Sequence, residues 1–256
     1  GDCMGAWATG DFHGKPERLD AGIFPEQLKF TGENYVIVLG DFGLVWAAEE
    51  SKYEKTCLNW LASKPFTVLF VDGNHENHTR LATLPEKEWH GGKVHVVRPN
   101  VLHLKRGEVF EIEGKTLFAF GGARSHDIHD GILDANDPEW RVKAQKMYNE
   151  GRWAYRVKGL SWWEEEMPSE EEMEYGLANL ARVNNKVDFV ITHSPSTFEL
   201  GMMDGFRGCK PDALTNYLDK VLYSTDYGQH LFGHMHVNQC VGSKAMCLYK
   251  DIKRII

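Results

Sequence analysis

Three continuous apolar runs, residues 35–39, 67–71 and 189–191, constrain this chain more than any other feature, because each runs directly into a cluster of cation-ligating side chains. Uninterrupted apolar runs of this length are the pattern of strands buried on both faces. The clusters that follow them are Gly40-Asp41, Gly73-Asn74-His75-Glu76 and Thr192-His193-Ser194-Pro195. Two more clusters of the same kind are Gly10-Asp11-Phe12-His13-Gly14 and Gly233-His234-Met235-His236. Parallel strands in α/β sheets deliver their loops to a common edge, so residues far apart in sequence can meet in one crevice there. Carboxylates, an asparagine and imidazoles from five places are therefore expected to converge at the C-terminal ends of strands as a two-metal centre.

Taken in order, the five blocks resemble the D-x-H, G-D, G-N-H-[DE], lone His and G-H-x-H pattern of the calcineurin-like metallophosphoesterases, over Asp11 to His236. The resemblance implies that Asp41 bridges two metals, that Asp11, His13 and His236 complete one shell, and that Asn74, His193 and His234 complete the other. A hydrolytic pair of ions lies roughly 3.5–4 Å apart, close enough for both to contact the reacting phosphoryl group or its nucleophile. The implied reaction is in-line attack on phosphorus by a metal-bridging hydroxide, with His75 as general acid to the leaving alkoxide. Either Glu76 or Asp72 could orient His75. A mixed oxygen and nitrogen set suits divalent transition metals better than Mg²⁺, with Mn²⁺ first and Fe, Zn, Ni or Co as alternatives. Two departures narrow the family. Leu44 stands where purple acid phosphatases carry the tyrosine of G-D-x-x-Y, and residues 40–46 do not reproduce the G-D-x-V-D-R-G of Ser/Thr protein phosphatases.

The intervening sequence points to an α/β fold. Residues 16–30 read as a short helix and loop. Residues 47–63 read as a helix with Tyr53, Cys57, Trp60 and Leu61 at helical spacing, set off by Pro65 from the next strand. Short alternating segments between 94 and 120, separated by Gly107 and Gly114, read as an antiparallel meander, and 237–249 as a terminal hairpin. Ser169-x-x-Glu172 is a capping-box signature before a helix bearing Met173, Leu177, Leu180 and Ala181, and Pro211 suits the first turn of a helix bearing Leu214, Leu218, Val221 and Leu222. The expected architecture is a four-layer α-β-β-α sandwich of two mixed sheets with helices outside. It forms a single domain over 1–256 with an insertion at about 125–168. That insertion carries Asp127, Asp130, Asp134 and Asp137 among aromatic residues, belongs to none of the metal motifs, and is expected to act as a lid or specificity element. Arg124, after a predicted strand in Gly121-Gly122-Ala123-Arg124-Ser125-His126, is a candidate phosphate ligand. Trp46 is a candidate stacking surface or, alternatively, loop packing.

At 256 residues with 42% hydrophobic content, a sizeable core is available. The formal charge of −8 argues against an extended nucleic-acid footprint but not against a small anionic substrate, since bound cations would set the local field. The five cysteines, Cys3, Cys57, Cys209, Cys240 and Cys247, include no C-x-x-C and suggest packing thiols in a reducing compartment. Cys240 and Cys247 flank a turn and could face one another. No membrane segment or leader pattern is evident, so a cytoplasmic protein is expected. The function expected from these features is phosphoester hydrolysis on a small substrate, leaning to phosphodiesters or nucleotide-like compounds. A phosphomonoesterase or nuclease of the same superfamily, and a non-catalytic scaffold, are the alternatives.

Overall fold

The computed structural model describes residues 4–206 and 209–256, which leaves Cys3 outside the described residues. The strands in chain order are β1 (Gly5–Thr9), β2 (Asn34–Val38), β3 (Thr67–Phe70), β4 (Glu86–Trp89), β5 (Gly92–Arg98), β6 (Val101–Leu104), β7 (Glu108–Ile112), β8 (Lys115–Phe120), β9 (Gly131–Asp134), β10 (Tyr155–Lys158), β11 (Lys186–Thr192), β12 (Asp226–Phe232), β13 (Gln239–Val241), β14 (Ala245–Cys247) and β15 (Ile252–Arg254). The helices are α1 (Lys52–Ala62), α2 (His78–Leu81), α3 (Trp140–Asn149), α4 (Glu170–Arg182), α5 (Thr197–Met202) and α6 (Ala213–Ser224). A seven-stranded sheet has the order β15-β1-β2-β3-β6-β5-β4 and a six-stranded sheet the order β13-β14-β12-β11-β8-β7. The centre of each is parallel and the edges are antiparallel.

The apolar runs are continuous because both faces of these strands are covered. In β2, Tyr35 and Ile37 point into the core between the sheets, where Leu69, Leu102, Leu117, Ile191 and Leu231 meet them. Val36 and Val38 point the other way, against Leu58 and Leu61 of α1 together with Val68 and Phe70. On the far side, Phe118, Phe120 and Val190 pack beneath Leu180 of α4 and Leu214, Leu218 and Val221 of α6. The expected four layers are thus present, each fully buried Leu, Val or Phe contributing about 1.5–3 kcal/mol of transfer free energy. Among the described residues no helix is long and apolar enough to cross a membrane.

Several local expectations differ from the structure. Residues 94–120 do not form one meander. β5 pairs with β6 in one sheet and β7 with β8 in the other, because the chain changes sheet between Leu104 and Glu108, with Gly107 at φ 82°. Residues 16–30 form only two 3₁₀ turns, Glu17–Leu19 and Pro25–Lys29. Pro211 precedes the Asp212 N-cap of α6 and so lies outside its first turn. Cys240 pairs in register with Met246 and Cys247 with Gln239; the two cysteines are free, one exposed and one buried. The Ser169–Glu172 capping box is formed as expected.

α1 begins later than the apolar spacing suggests, at Lys52, because Ser51 is its N-cap and Glu54 reaches back to the Ser51 amide at 2.6 Å. Tyr53 is consequently half exposed, and the buried face is Glu54, Leu58 and Leu61. Glu54 is 3% exposed and also accepts from Trp46 N (2.7 Å), Ala47 N (3.0 Å) and Arg80 Nη1 (3.1 Å). It therefore fixes the loop that follows Asp41. Burial pushes its carboxyl pKa up, but the three backbone donors and Arg80 outweigh that and lower it below the usual range. We predict that Glu54→Ala costs about 3 kcal/mol in urea unfolding at pH 7, leaving buried donors and Arg80 unpaired, against about 1 kcal/mol for the cap change Ser51→Ala. Since the folded pKa is depressed, this contribution is present above the unfolded value of about 4.3 and shrinks as pH falls through the folded one. Equal costs for the two variants would reduce Glu54 to a simple cap.

Candidate metal centre

Asp11 lies two residues beyond β1, Asp41 three beyond β2, Asn74 four beyond β3, His193 one beyond β11 and His234 two beyond β12. All five loops leave the C-terminal ends of parallel strands, so both sheets deliver side chains to the same end of the sandwich. The turns are tight. His13, Asp41, His234 and His236 have φ of 48°, 45°, 66° and 53°, the left-handed region that is costly for residues with a Cβ. Where contact is closest the chain uses glycine: a Cβ at Gly40 would lie 2.2 Å from His193 Nδ1, and one at Gly73 would lie 2.1 Å from Asp41 Oδ1.

Two groups result. Asp11, His13, Asp41 and His236 offer ligand atoms within 4.8 Å of one another, as do Asp41, His193 and His234, and Asp41 belongs to both. His236 Nε2 is 3.1 Å and His13 Nε2 3.4 Å from Asp11 Oδ2, while His13 Nε2 is 3.6 Å from Asp41 Oδ2. His193 donates Nδ1–H to the Leu39 carbonyl at 2.6 Å, which leaves Nε2 as the free ring nitrogen, 3.3 Å from Asp41 Oδ1. Asn74 donates Nδ2–H to Ser125 Oγ at 3.3 Å, which leaves Oδ1 as its free amide atom. His193 Nε2 and Asn74 Oδ1 are both buried without a hydrogen-bond partner among the described residues. Buried polar atoms are rarely left so. Two such ligand atoms beside two buried carboxylates fit bound cations.

The electrostatics agree. Burial alone would raise the pKa of Asp11, but His193, His13, His236 and the His234 amide hold it well below the usual carboxylate range. Asp41 is lowered in the same way against burial, chiefly by His193. Burial disfavours charge on His193, yet Asp41 and Asp11 push it up to about 10. His234 is held well below the ordinary imidazole value, first by burial and then by His193. The field of the two carboxylates attracts a cation, and a proton on His193 is one that a metal would displace.

His75 borders the same cleft. Its backbone N–H donates to Asp41 Oδ1 at 2.8 Å, and its Nε2 lies 3.9 Å from Asp41 Oδ2. Neither carboxylate proposed from sequence orients its ring. Glu76 turns inward to accept from the Phe42 and Gly43 amides at 2.7 and 3.1 Å, and burial with Asp41 nearby raises its pKa well above the usual range. Asp72 is held by Arg106 Nη2 at 2.7 Å and His103 Nε2 at 2.8 Å. The side chain beside His75 is instead Arg156, whose Nη2 is 3.1 Å from Nε2. Burial, then Arg156 working against Asp41, pulls the imidazole down to about 4.

Sequence reasoning missed Arg156, Ser125 and Glu166, and saw Asp127 only as part of an unusual segment. Arg156 is in β10, where no motif marks it. The available signal was the unassigned 125–168 segment after a strand leading to the same edge. His126, which belongs to none of the five ligand blocks, stacks on His234 at 4.6 Å. His78, His103 and His230 are buried and hydrogen-bonded, as structural histidines should be. Arg124 is exposed and does not line the cleft. Trp46 packs edge-on against Trp163 at 5.3 Å. The cleft itself has a volume of about 530 Å³ and is lined by Asp41, Asn74, His75, His234 and His236 on its floor and by His126, Asp127 and Phe206 among its walls. A larger groove of about 740 Å³ between α5, α6 and the β13–β14 hairpin contains none of the ligand residues.

The family model for calcineurin-like phosphoesterases matches residues 4–238. No curated protein sequence matches the chain. Among solved structures, the phosphopantetheinyl hydrolase PptH from Mycobacterium tuberculosis is similar over 99% of this chain and 96% of its own, at 15% identity and a TM-score of 0.46. A second solved structure is similar over 95% of this chain and 88% of its own, at 11% identity and a TM-score of 0.46. The family match runs through all five ligand blocks, and the chain belongs to the calcineurin-like phosphoesterase family.

Proposed function

We propose that this protein is a dinuclear metal-dependent phosphohydrolase acting on small phosphoesters, with Mn²⁺ first among the transition metals that its mixed donor set suits. One observation carries the reading: Asp41 is common to both ligand groups, so its two carboxylate oxygens can serve two ions. Asp11, His13 and His236 would hold one ion with Asp41, and Asn74, His193 and His234 the other. Such a pair supplies Lewis-acid stabilisation of a phosphoryl group and makes water at the site more acidic.

The chain's own residues do the rest. Leu39 leaves His193 Nε2 free beside Asp41, and Ser125 leaves Asn74 Oδ1 free. His75 is the candidate proton donor to the leaving oxygen. It is neutral in the substrate-free cleft, and the negative charge of a bound phosphoryl group would raise its affinity for the proton. His126 and Asp127 place the 125–168 segment in the wall of the cleft, which supports its role in shaping substrate access. A lean to diesters and nucleotide-like compounds rests on the absence of a second basic cluster among the described cleft-lining residues. The charge of −8 disfavours a long nucleic acid. A cytoplasmic setting accords with four free cysteines among the described residues.

Hydrolysis of bis(p-nitrophenyl) phosphate and p-nitrophenyl phosphate by metal-stripped protein reconstituted with Mn²⁺ tests the reading, and the preferred ester decides between diester and monoester. Asp41→Asn should lose more than about 100-fold in turnover, beyond what loss of an outer-shell contact costs, together with bound metal. Retained turnover in that variant would remove the shared carboxylate from the mechanism. On an alkyl phosphoester His75→Ala should lower kcat about 10²- to 10⁴-fold, the usual worth of a positioned acid, and by less on the p-nitrophenyl esters, with metal content by elemental analysis unchanged.

A further inference from the structure

The segment between Ser125 and Met167 makes two contacts with the Gly73-Asn74-His75 motif that the ligand set does not require. Glu166, 1% exposed, accepts from Ser125 N at 2.8 Å and Ser125 Oγ at 2.6 Å, and Ser125 Oγ in turn receives the Asn74 amide. Arg156, 7% exposed, is gripped by Asp127 through Nε at 2.7 Å and Nη2 at 2.8 Å, and its Nη1 donates to the Ser161 carbonyl at 2.9 Å. That two-pronged ion pair fixes the guanidinium plane. Its Nη2 is then aimed at His75, 3.1 Å from Nε2 and 3.5 Å from Nδ1. Arg156 does not line the cleft, whereas His75 and Asp127 do.

We propose that Arg156, clamped by Asp127, is a positioning residue for His75, and that the 125–168 segment braces the Asn74-His75 pair from behind as well as walling the cleft. With Nη2 3.1 Å from one ring nitrogen and 3.5 Å from the other, the guanidinium lies over the His75 ring and not in line with a single lone pair, and it holds the ring beside Asp41. Among the described residues Asp41 is the one carboxylate within 4.0 Å of a His75 ring nitrogen, at 3.9 Å. The proposal rests on the hydrolytic reading only for its kinetic arm; the placement of the ring can be read without turnover.

Two measurements test it. In the protein labelled with ¹⁵N-histidine, with and without diamagnetic Zn²⁺, wild-type His75 should show one sharp pair of ring ¹⁵N signals, as expected of a ring held in one position. Arg156→Ala should shift or broaden that pair while His193 and His234 keep their signals. Identical His75 spectra would overturn the proposal whether or not any ester is hydrolysed. In turnover, Arg156→Ala should lower kcat about tenfold to a hundredfold, the scale of an angstrom misplacement of a catalytic group, with KM and metal content little changed. The loss should be larger for an alkyl than for a p-nitrophenyl leaving group, as for His75→Ala, because only the poorer leaving group needs the proton. The double variant should be no slower than His75→Ala alone. Additive losses would show Arg156 acting independently of His75 and would overturn the proposal. Arg156→Lys, which keeps the charge but lacks the fork that spans Asp127 and His75, should fold normally and fall between wild type and Arg156→Ala, so misfolding of the alanine variant cannot hide the answer. A wild type silent on every ester would refute the hydrolytic reading and leave the spectra to decide the positioning role.

Discussion

A buried carboxylate survives only where donors and positive charge meet it, and Asp41 is the place where this chain satisfies that demand. The His75 amide donates to Oδ1, His193 lies beside the same oxygen and His13 beside the other. Each of these partners comes from a different strand end, so the position of Asp41 ties β1, β2, β3 and β11 together at one edge. The glycines around it follow from the same constraint, since Gly40 and Gly73 approach His193 and Asp41 more closely than any side chain permits. The left-handed backbone at His13, Asp41, His234 and His236 has a cost that the surrounding packed sheets bear.

The sandwich makes this possible through its parallel centres. β1, β2 and β3 in one sheet, and β8, β11 and β12 in the other, end on the same side, and apolar faces on both sides hold them rigidly in register. Ligands projecting from short loops on such strands vary little in position, which is what a metal site needs. Outer contacts refine them further. Leu39 sets the His193 tautomer, Ser125 sets the Asn74 amide, and Glu76 ties down the Phe42–Gly43 turn that carries Asp41. Such partners govern metal affinity and activity nearly as strongly as the ligands themselves.

The segment after β8 extends the same logic. Its two short parallel strands, β9 and β10, stand apart from the two large sheets, yet Asp127, Arg156 and Glu166 all turn toward the Asn74-His75 loop. A wall for the cleft and a brace for His75 need not be different elements. Burial first, and then the guanidinium working against Asp41, lowers the proton affinity of that half-buried imidazole.

Seven ligand candidates and His75 were legible in the sequence because ligand chemistry is restricted to a few side chains and because the apolar runs announce which of them follow strands. The layered architecture was legible for a related reason, as strands covered on both faces leave no polar positions. What the sequence left open depends on partners distant in the chain. The orienter of His75 lies 81 positions away, and neither Glu76 nor Asp72, its sequence neighbours, could be excluded until the sheets showed Glu76 facing the Phe42 and Gly43 amides and Asp72 facing Arg106. The apparent meander over 94–120 has no local mark where it changes sheet, because β-strand patterning reports which faces are buried and not which strand lies alongside. Sequence by itself determined the candidate ligand residues, their order and the strand ends that carry them, and the family resemblance implied the sharing of Asp41; tertiary structure decided their separation, their second partners and which ring or amide atom is left free, since distances between strand ends are set by packing across two sheets and not by spacing along one chain.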